Sequence, residues 1–495
     1  MIMIPRRLTA ASLAALIACS AALAQDSVPT SVPGAPAAPA GPELTLAQCI
    51  TRALDRNFDL ATGRYNPQIA KEAIESLRGA YQPQLSVTGA TGKSSVPGSS
   101  SRTSNLRVGV TQELYTGTTV SASSRLDRSS LDPSTASLNP AYDADLTLSV
   151  RQSLLRGFGT SVNRAAINRA EIGLQRANLD FKATVLNVIQ ATENAYYNVA
   201  YAREQLNVRN FSYALAQRLF DEAKVRRDTG VATNLDVLTA EVGVANAHRS
   251  VILAEQETKD RQDALLALIG QFQLDEAIGT VRFADVTEAT PVFASSYLMA
   301  KQNQPDYLSS QAAIEQLKLD LKVAKDDARP DLTVGAALGL SGTNGSGHDA
   351  FSDALDRQNH SWQVDFAFSY PWGLTSGRAR YRQSLATLNR EQVRLKQIEQ
   401  TIEVQVRSAV RSVETNLESV RIAVLAARLS EQQYELEKAR FDAGQSTSRR
   451  VLEAQNDLET ARVSELQAKV TLQNAITALH RLEGSSLQRY AITLP

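Results

Sequence analysis

Residues that hold metals or attack substrates are scarce in this chain, which has four histidines and two cysteines among 495 residues. His248, His348, His360 and His480 are scattered, and none belongs to an H-E-x-x-H run or a Cys/His cluster. His348 and His360 flank one Ser- and Gly-rich stretch, but two ligands fall short of a closed metal site. Gly339, Gly342, Gly345 and Gly347 superficially suggest a phosphate-cradling loop. No Lys-Ser/Thr follows them, and the run lies between two strand patterns, so a flexible loop fits better. The expectation is no catalytic, cofactor-binding or metal site, and no enzyme.

Charge is the remaining chemistry. Asp236 lies six residues past Gly230, while Arg449, Arg450 and Glu453 lie five, six and nine residues past Gly444. Asp236 and Arg450 therefore hold equivalent positions. Two readings stand. The four are solvated helix-end charges, or they ring a pore mouth once symmetry multiplies them. On the second reading they form the pore constriction, Asp236 pairs with Arg450, and Glu453 leaves an acidic ring one helical turn farther on.

Very long helices must carry these charges. Ile398, Ile402, Val406, Ala409, Val413, Leu417, Val420, Val424 and Ala427 step by three or four residues, the period of a helix. Helices are predicted over roughly 164–229, 233–269, 378–443 and 447–483. A helix of about 65 residues spans ~100 Å, more than any compact domain needs. Gly230 and Gly444 suit left-handed helix ends, and Thr233 and Thr447 suit the caps of the helices that follow. These two corners are the predicted helix-hairpin tips.

Upstream, Thr45 is expected to cap a helix carrying Ile50, Leu54, Ile69, Ala73 and Leu77, disturbed at Asn66-Pro67 and ended by Pro83. Strand alternation follows at Leu85–Val87, Leu106–Val110 and Leu146–Val150. It returns at Leu332–Leu340 and Trp362–Tyr370. Segments 94–104, 127–140 and 342–360 read as joining loops. One apolar and one polar face suit a barrel wall in lipid or a soluble sheet; the export signal described below favours the barrel.

The chain repeats itself. Lys224 to Gly270 answers Lys438 to Gly484, with Gly230 and Gly444 lying 214 positions apart. Upstream, Ala80-Tyr-Gln-Pro83-Gln-Leu85 answers Ala328-Arg-Pro330-Asp-Leu332 at an offset of 247, so the first copy carries 33 extra residues. The expected organisation is a signal peptide (1–24), a disordered linker (25–42), a first repeat (43–270), a connecting segment (271–292), a second repeat (293–484) and a tail (485–495). The extra residues include Thr111 to Arg125, which could form another hairpin around Tyr115-Thr116-Gly117.

Arg6 and Arg7 precede the apolar stretch from Leu8 to Leu23, and Ala22-Leu23-Ala24 is an A-x-A site with cleavage expected before Gln25. Leu16-Ile17-Ala18-Cys19 also reads as a lipobox, which would make Cys19 an acylated first residue; Gln25 is the favoured N-terminus. The 52 basic and 52 acidic residues give no basic excess for nucleic acid. Past the signal, no uncharged run of 18 apolar residues offers a transmembrane helix. Two or three hairpins cannot close a barrel alone, and open sheet edges are excluded from lipid, so a barrel would be shared among protomers.

With these residues in view, the chain resembles the TolC family of outer-membrane efflux channels. The resemblance rests on Leu44-Thr-Leu-Ala-Gln-Cys-Ile with Ala53-Leu54 and Asn57, on Tyr81-Gln-Pro-Gln-Leu-Ser, and on Gln152-Ser-Leu-Leu-Arg-Gly-Phe-Gly159. It continues through Pro305-Asp306, Arg329-Pro-Asp-Leu332, Ser369-Tyr-Pro371, Gly377-Arg378 and the two glycine corners. It implies an α+β membrane protein, a homotrimer in which each protomer gives four strands to a twelve-stranded outer-membrane barrel. The helices would form a long periplasmic coiled-coil barrel with a mixed α/β equatorial belt, including 271–292 and the tail. Such a tube is a passive conduit of a tripartite efflux or type I secretion system in a Gram-negative bacterium. Its tips at Gly230, Thr233, Gly444 and Thr447 would dock a periplasmic adaptor joined to an inner-membrane pump. The family often places acidic residues at the tunnel tip; Arg450 beside Glu453 departs from that pattern. The runner-up is a soluble periplasmic coiled-coil adaptor, against which the strands and the duplication argue.

Overall fold

A computed structural model describes residues 44–492 except 135, 271–280, 282–289 and 357–358. The signal peptide, Cys19, the linker and most of the connecting segment lie outside the described residues.

The first helix, α1 (Leu46–Arg56), opens with a reciprocal cap: Thr45 Oγ1 accepts from the Gln48 N–H at 3.3 Å and Gln48 Oε1 from the Thr45 N–H at 3.2 Å. Asn57 then caps α2 (Phe58–Gly63), its Oδ1 accepting from the Asp59 N–H at 2.9 Å, and α3 (Tyr65–Gly79) follows. The breaks fall at Asn57 and Arg64, not at Asn66-Pro67. Pro67 sits in the first turn of α3, where a missing N–H costs no helical bond.

Six antiparallel strands follow one another in chain order across a single sheet: β1 (Gln84–Val96), β2 (Ser99–Glu113), β3 (Thr118–Asp132), β4 (Ala141–Ser153), β5 (Asp331–Asn344) and β6 (His360–Ser369). The resemblance implies four barrel strands per copy, and the sheet itself has six. The extra residues of the first copy fold as an additional up-and-down pair, with Tyr115-Thr116-Gly117 in the turn from β2 to β3. Most of 94–104 and the start of 127–140 are strand rather than loop. Serine and threonine run there without breaking the ladder because their hydroxyls pair across it, as Thr91 does with Ser104 at 2.9 Å. Gly339 and Gly342 belong to β5 and form no loop. Beyond them α9 (Gly347–Leu355) seats Ala350 and Ala354 against Ala144, with all three fully buried. A Cβ at Gly342 would come within 2.2 Å of the Ala350 carbonyl, so glycine is what admits the helix.

The remaining helices are α4 (Thr160–Asn163), α5 (Ala165–Asp228), α6 (Asn234–Leu268), α7 (Phe293–Asn303) and α8 (Pro305–Asp327). After the sheet come α10 (Thr375–Asp442), α11 (Ser448–Glu483) and α12 (Ser486–Arg489). With 64 and 68 residues, α5 and α10 extend over ~95–100 Å each. The long helix α5 packs on α3 and α6, and α10 on α8 and α11, so shorter helices flank each long one.

The three largest apolar clusters among the described residues of the bundle run along it. One gathers Cys49, Ile50 and Ala53 of α1 against Val185, Leu186 and Ile189 of α5, with Leu265, Ile269 and Leu487. Val281, Tyr490 and Ile492 pack against it, which puts the described part of the tail at the middle of α5. A second runs down α10 through Ile402, Val406, Val413, Leu417 and Val420. These are members of the periodic series read from the sequence; Val424 from the same series is 43% exposed. The third lies near the hairpin corners. No helix among the described residues is long and apolar enough to cross a membrane.

Candidate functional site: the hairpin tips

Both long hairpins turn by the same device. At the first, the Gly230 N–H donates to the Arg227 carbonyl at 2.9 Å and the Val231 N–H to Arg226 at 2.8 Å. At the second, Gly444 donates to Phe441 at 3.0 Å and Gln445 to Arg440 at 2.8 Å. These paired bonds close the last helical carbonyls and require a left-handed residue, met by Gly230 at φ 78° and Gly444 at φ 73°. A Cβ at either would meet nothing within 4 Å. Backbone conformation alone therefore selects glycine.

The caps that follow differ. Thr233 closes a ring with Asp236: its Oγ1 accepts from the Asp236 N–H at 3.3 Å, while Asp236 Oδ2 accepts from the Thr233 N–H at 2.9 Å and hydroxyl at 2.7 Å. The Thr233 N–H, and then its hydroxyl, hold the Asp236 carboxyl below the usual carboxylate range. Thr447 holds the equivalent position before α11, but its side chain makes no cap bond. The third residue of that helix is Arg450, which has no acceptor to return.

The four predicted constriction residues are all at the tips, and one pair of them meets. Arg449 Nε donates to Glu453 Oε1 at 3.0 Å along α11, with the two side chains 82% and 59% exposed. Asp236 and Arg450 form no ion pair within a protomer among the described residues, and Asp236 bonds Thr233 instead.

Sequence reading missed the contact that joins the corners. Arg226 Nη2 donates to the Phe441 carbonyl at 3.3 Å, and its guanidinium lies 3.9 Å from the centre of the Phe441 ring. Inside the charge run Lys224-Val-Arg-Arg-Asp, Arg226 reads as a solvated helix end. A signal was available: the position aligned with Phe441 is Arg227, so an aromatic replaces a charge at this one corner. Beneath the corners Leu215, Leu219, Tyr434, Phe441, Val451 and Leu458 form the third apolar cluster. Val231, Leu235 and Leu238 at the first tip are exposed.

The histidines do not converge. His348 lies in α9 and His360 opens β6, and no group of three or more metal-ligating residues occurs among the described residues. The geometry is that of a long helical body with two capped corners at one end and an apolar-faced sheet at the other. A family model described as "Outer membrane efflux protein" matches residues 120–271 and 297–485, well over half of the chain. The chain belongs to that family.

Among relatives of this channel, the Pseudomonas putida pyoverdine export outer membrane protein OpmQ is 24% identical over 74% of each chain. The Brucella suis outer membrane efflux protein BepC is 23% identical over 89% of this chain and 85% of its own. In fold it matches the outer-membrane channel OprN, with a TM-score of 0.67 and 20% identity over 90% of each chain. The Neisseria gonorrhoeae MtrE channel matches with a TM-score of 0.65 and 17% identity, over 89% of this chain and 88% of that one. This protein is thus an outer-membrane efflux channel of a Gram-negative bacterium, with a large periplasmic part. The soluble-adaptor alternative is not favoured, and the family is one of channels rather than enzymes.

Proposed function

We propose that three copies of this chain share one outer-membrane barrel and form a passive conduit. Its corners at Gly230–Thr233 and Gly444–Thr447 dock a periplasmic adaptor, which couples the tube to an inner-membrane pump. The carrying observation is the two-ended architecture. Exposed Trp362, Phe366 and Phe368 on β6 suit lipid at one end, and both long hairpins turn at a glycine corner at the other. Matching corners 214 residues apart also support a duplicated origin of the two halves.

At the tip, Asp236 of one hairpin and Arg450 of the other are proposed to alternate around the mouth, with Glu453 behind them. Exposed pairs contribute only ~0–1 kcal/mol each, so this latch biases a closed state through repetition. The tail and the connecting segment are assigned to an equatorial belt, a reading supported by Tyr490 and Val281 on the mid-α5 cluster. The test is size in detergent together with cross-linking from the tips. A threefold mass, and adaptor captured from a photo-reactive group at residue 231 or 445, are expected. A stable monomer, or release of the protein by a salt wash, overturns the reading.

A further inference from the structure

Among the described strands, β3 has no free edge. It pairs with β2 from Ser100↔Asp132 to Glu113↔Thr119, and with β4 from Thr118↔Gln152 to Ser129↔Ala141. The strands β2, β4 and β5 are likewise paired on both sides, which leaves unpaired edges on β1 and β6 alone. A wall built from four strands per copy would need two strands to leave this continuous sheet.

One row on each face carries its character across the additional pair. The register sets Leu85, Val110, Ala122, Leu148, Leu338 and Trp362 side by side, one from each strand. The adjacent row, on the opposite face, reads Ser86, Gly109, Ser123, Thr147, Gly339 and Ser361. One row is wholly apolar and the next is wholly small or hydroxylated, the pattern of a wall between lipid and a watery lumen. An accessory hairpin standing in solvent would have no use for the first row.

The turn between β2 and β3 is also built into the joint between sheet and helices. The Gly159 N–H donates to the Thr116 carbonyl at 3.1 Å and the Ser153 N–H to the Gly117 carbonyl at 3.2 Å. The Tyr115 ring lies 4.4 Å from that of Tyr81, and the Arg164 guanidinium lies 5.5 Å from the Tyr115 ring centre.

We infer that all six strands stand in the membrane and that β6 of one protomer pairs with β1 of the next copy. Resting on the homotrimer proposed above, this closes the barrel at eighteen strands (three copies of six) instead of twelve. The join is antiparallel, because an even number of alternating strands leaves β1 and β6 running in opposite directions. With strands ~4.8 Å apart and tilted by ~40°, the backbone diameter rises from about 24 Å for twelve strands to about 36 Å for eighteen. The occupant of each free edge is a second copy of this chain, since lipid tolerates no unpaired strand.

Electron cryomicroscopy of the full-length protein in lipid nanodiscs tests this without any substitution. A threefold particle with eighteen wall strands and a barrel about 1.5-fold wider than a twelve-stranded one is expected. A threefold particle with twelve wall strands, and two strands of each copy outside the wall, overturns the inference and leaves the homotrimer standing. A particle without threefold symmetry overturns the homotrimer reading and the strand count with it.

Discussion

Removing the Tyr490 hydroxyl should free the C-terminal tail without unfolding the bundle. Glu193 of α5 is buried, 2% exposed, and accepts from Tyr490 OH at 2.6 Å and from Thr477 Oγ1 of α11 at 2.5 Å. Burial first, and the neighbouring Glu193 second, push the Tyr490 phenol well above its usual range. A raised phenol stabilises fully below the unfolded value of about 10 and loses that contribution only as pH climbs past it. At neutral pH the donor is therefore intact. A hydrogen bond to a charged acceptor contributes about 1.5–3 kcal/mol, so Tyr490→Phe should speed opening of the tail by roughly 10- to 100-fold. The phenylalanine keeps the ring on Leu487 and the mid-α5 cluster, which separates the bond from the packing. Thr477→Val should act in the same direction, and the double variant should exceed the sum, because a buried carboxylate stripped of both donors costs about 3–5 kcal/mol. Amide exchange of residues 485–492, followed by mass spectrometry in detergent, reads this directly. Exchange in Tyr490→Phe within twofold of the parent, or strict additivity in the double variant, would refute the reasoning.

Other expectations concern the corners and acid. Gly230→Val with Gly444→Val should abolish efflux and leave membrane insertion intact, since a side chain in the left-handed region costs roughly 1–2 kcal/mol at each corner; unchanged drug sensitivity would count against docking there. Arg450→Glu should raise single-channel conductance in planar bilayers, and Asp236→Arg with Arg450→Asp should restore it; conductance and ion selectivity equal to the parent's would place the constriction elsewhere. His480 is held below its ordinary range by burial and by Arg489, whose Nη1 lies 3.0 Å from Nδ1. A depressed histidine stabilises above the unfolded value and loses that contribution as pH falls below about 6.5. Tail opening, read as exchange corrected for the intrinsic rate at each pH, should therefore rise between pH 7.5 and pH 5, and His480→Gln should remove that rise. Intact mass of the mature protein should correspond to a chain starting at Gln25, and a diacyl- or triacylglyceryl increment on Cys19 would reverse that choice.

Long periodicity made the helices legible. The steps through Ile402, Val406, Val413 and Leu417 recur over so many turns that local exceptions such as exposed Val424 change nothing. Glycine corners were legible because only a left-handed residue closes those carbonyls. The strands were half legible. Leu106-Val108-Val110 announces itself by alternation, whereas Ser94 to Ser104 looks like loop, because its ladder is held by backbone bonds and hydroxyl pairs that composition does not reveal. At the tip, the positions of Asp236 and Arg450 were readable but not their partners. Asp236 turns back on Thr233 within its own helix, a choice made by three-residue geometry rather than by charge. Arg226 on Phe441 joins residues 215 positions apart, and only setting the two copies side by side, Arg227 against Phe441, points to it.

The unequal caps at the two corners give the two hairpin tips unequal stiffness. The first turn of α6 is braced by three bonds between Thr233 and Asp236, whereas α11 starts without a side-chain cap from Thr447. A tube strained at its mouth yields where fewest bonds resist. In a threefold assembly, compliant and rigid leaves then alternate around the circumference, and dilation becomes a motion of every second leaf against a fixed frame. The rigid leaves carry load, and the soft ones set how far the aperture can spread.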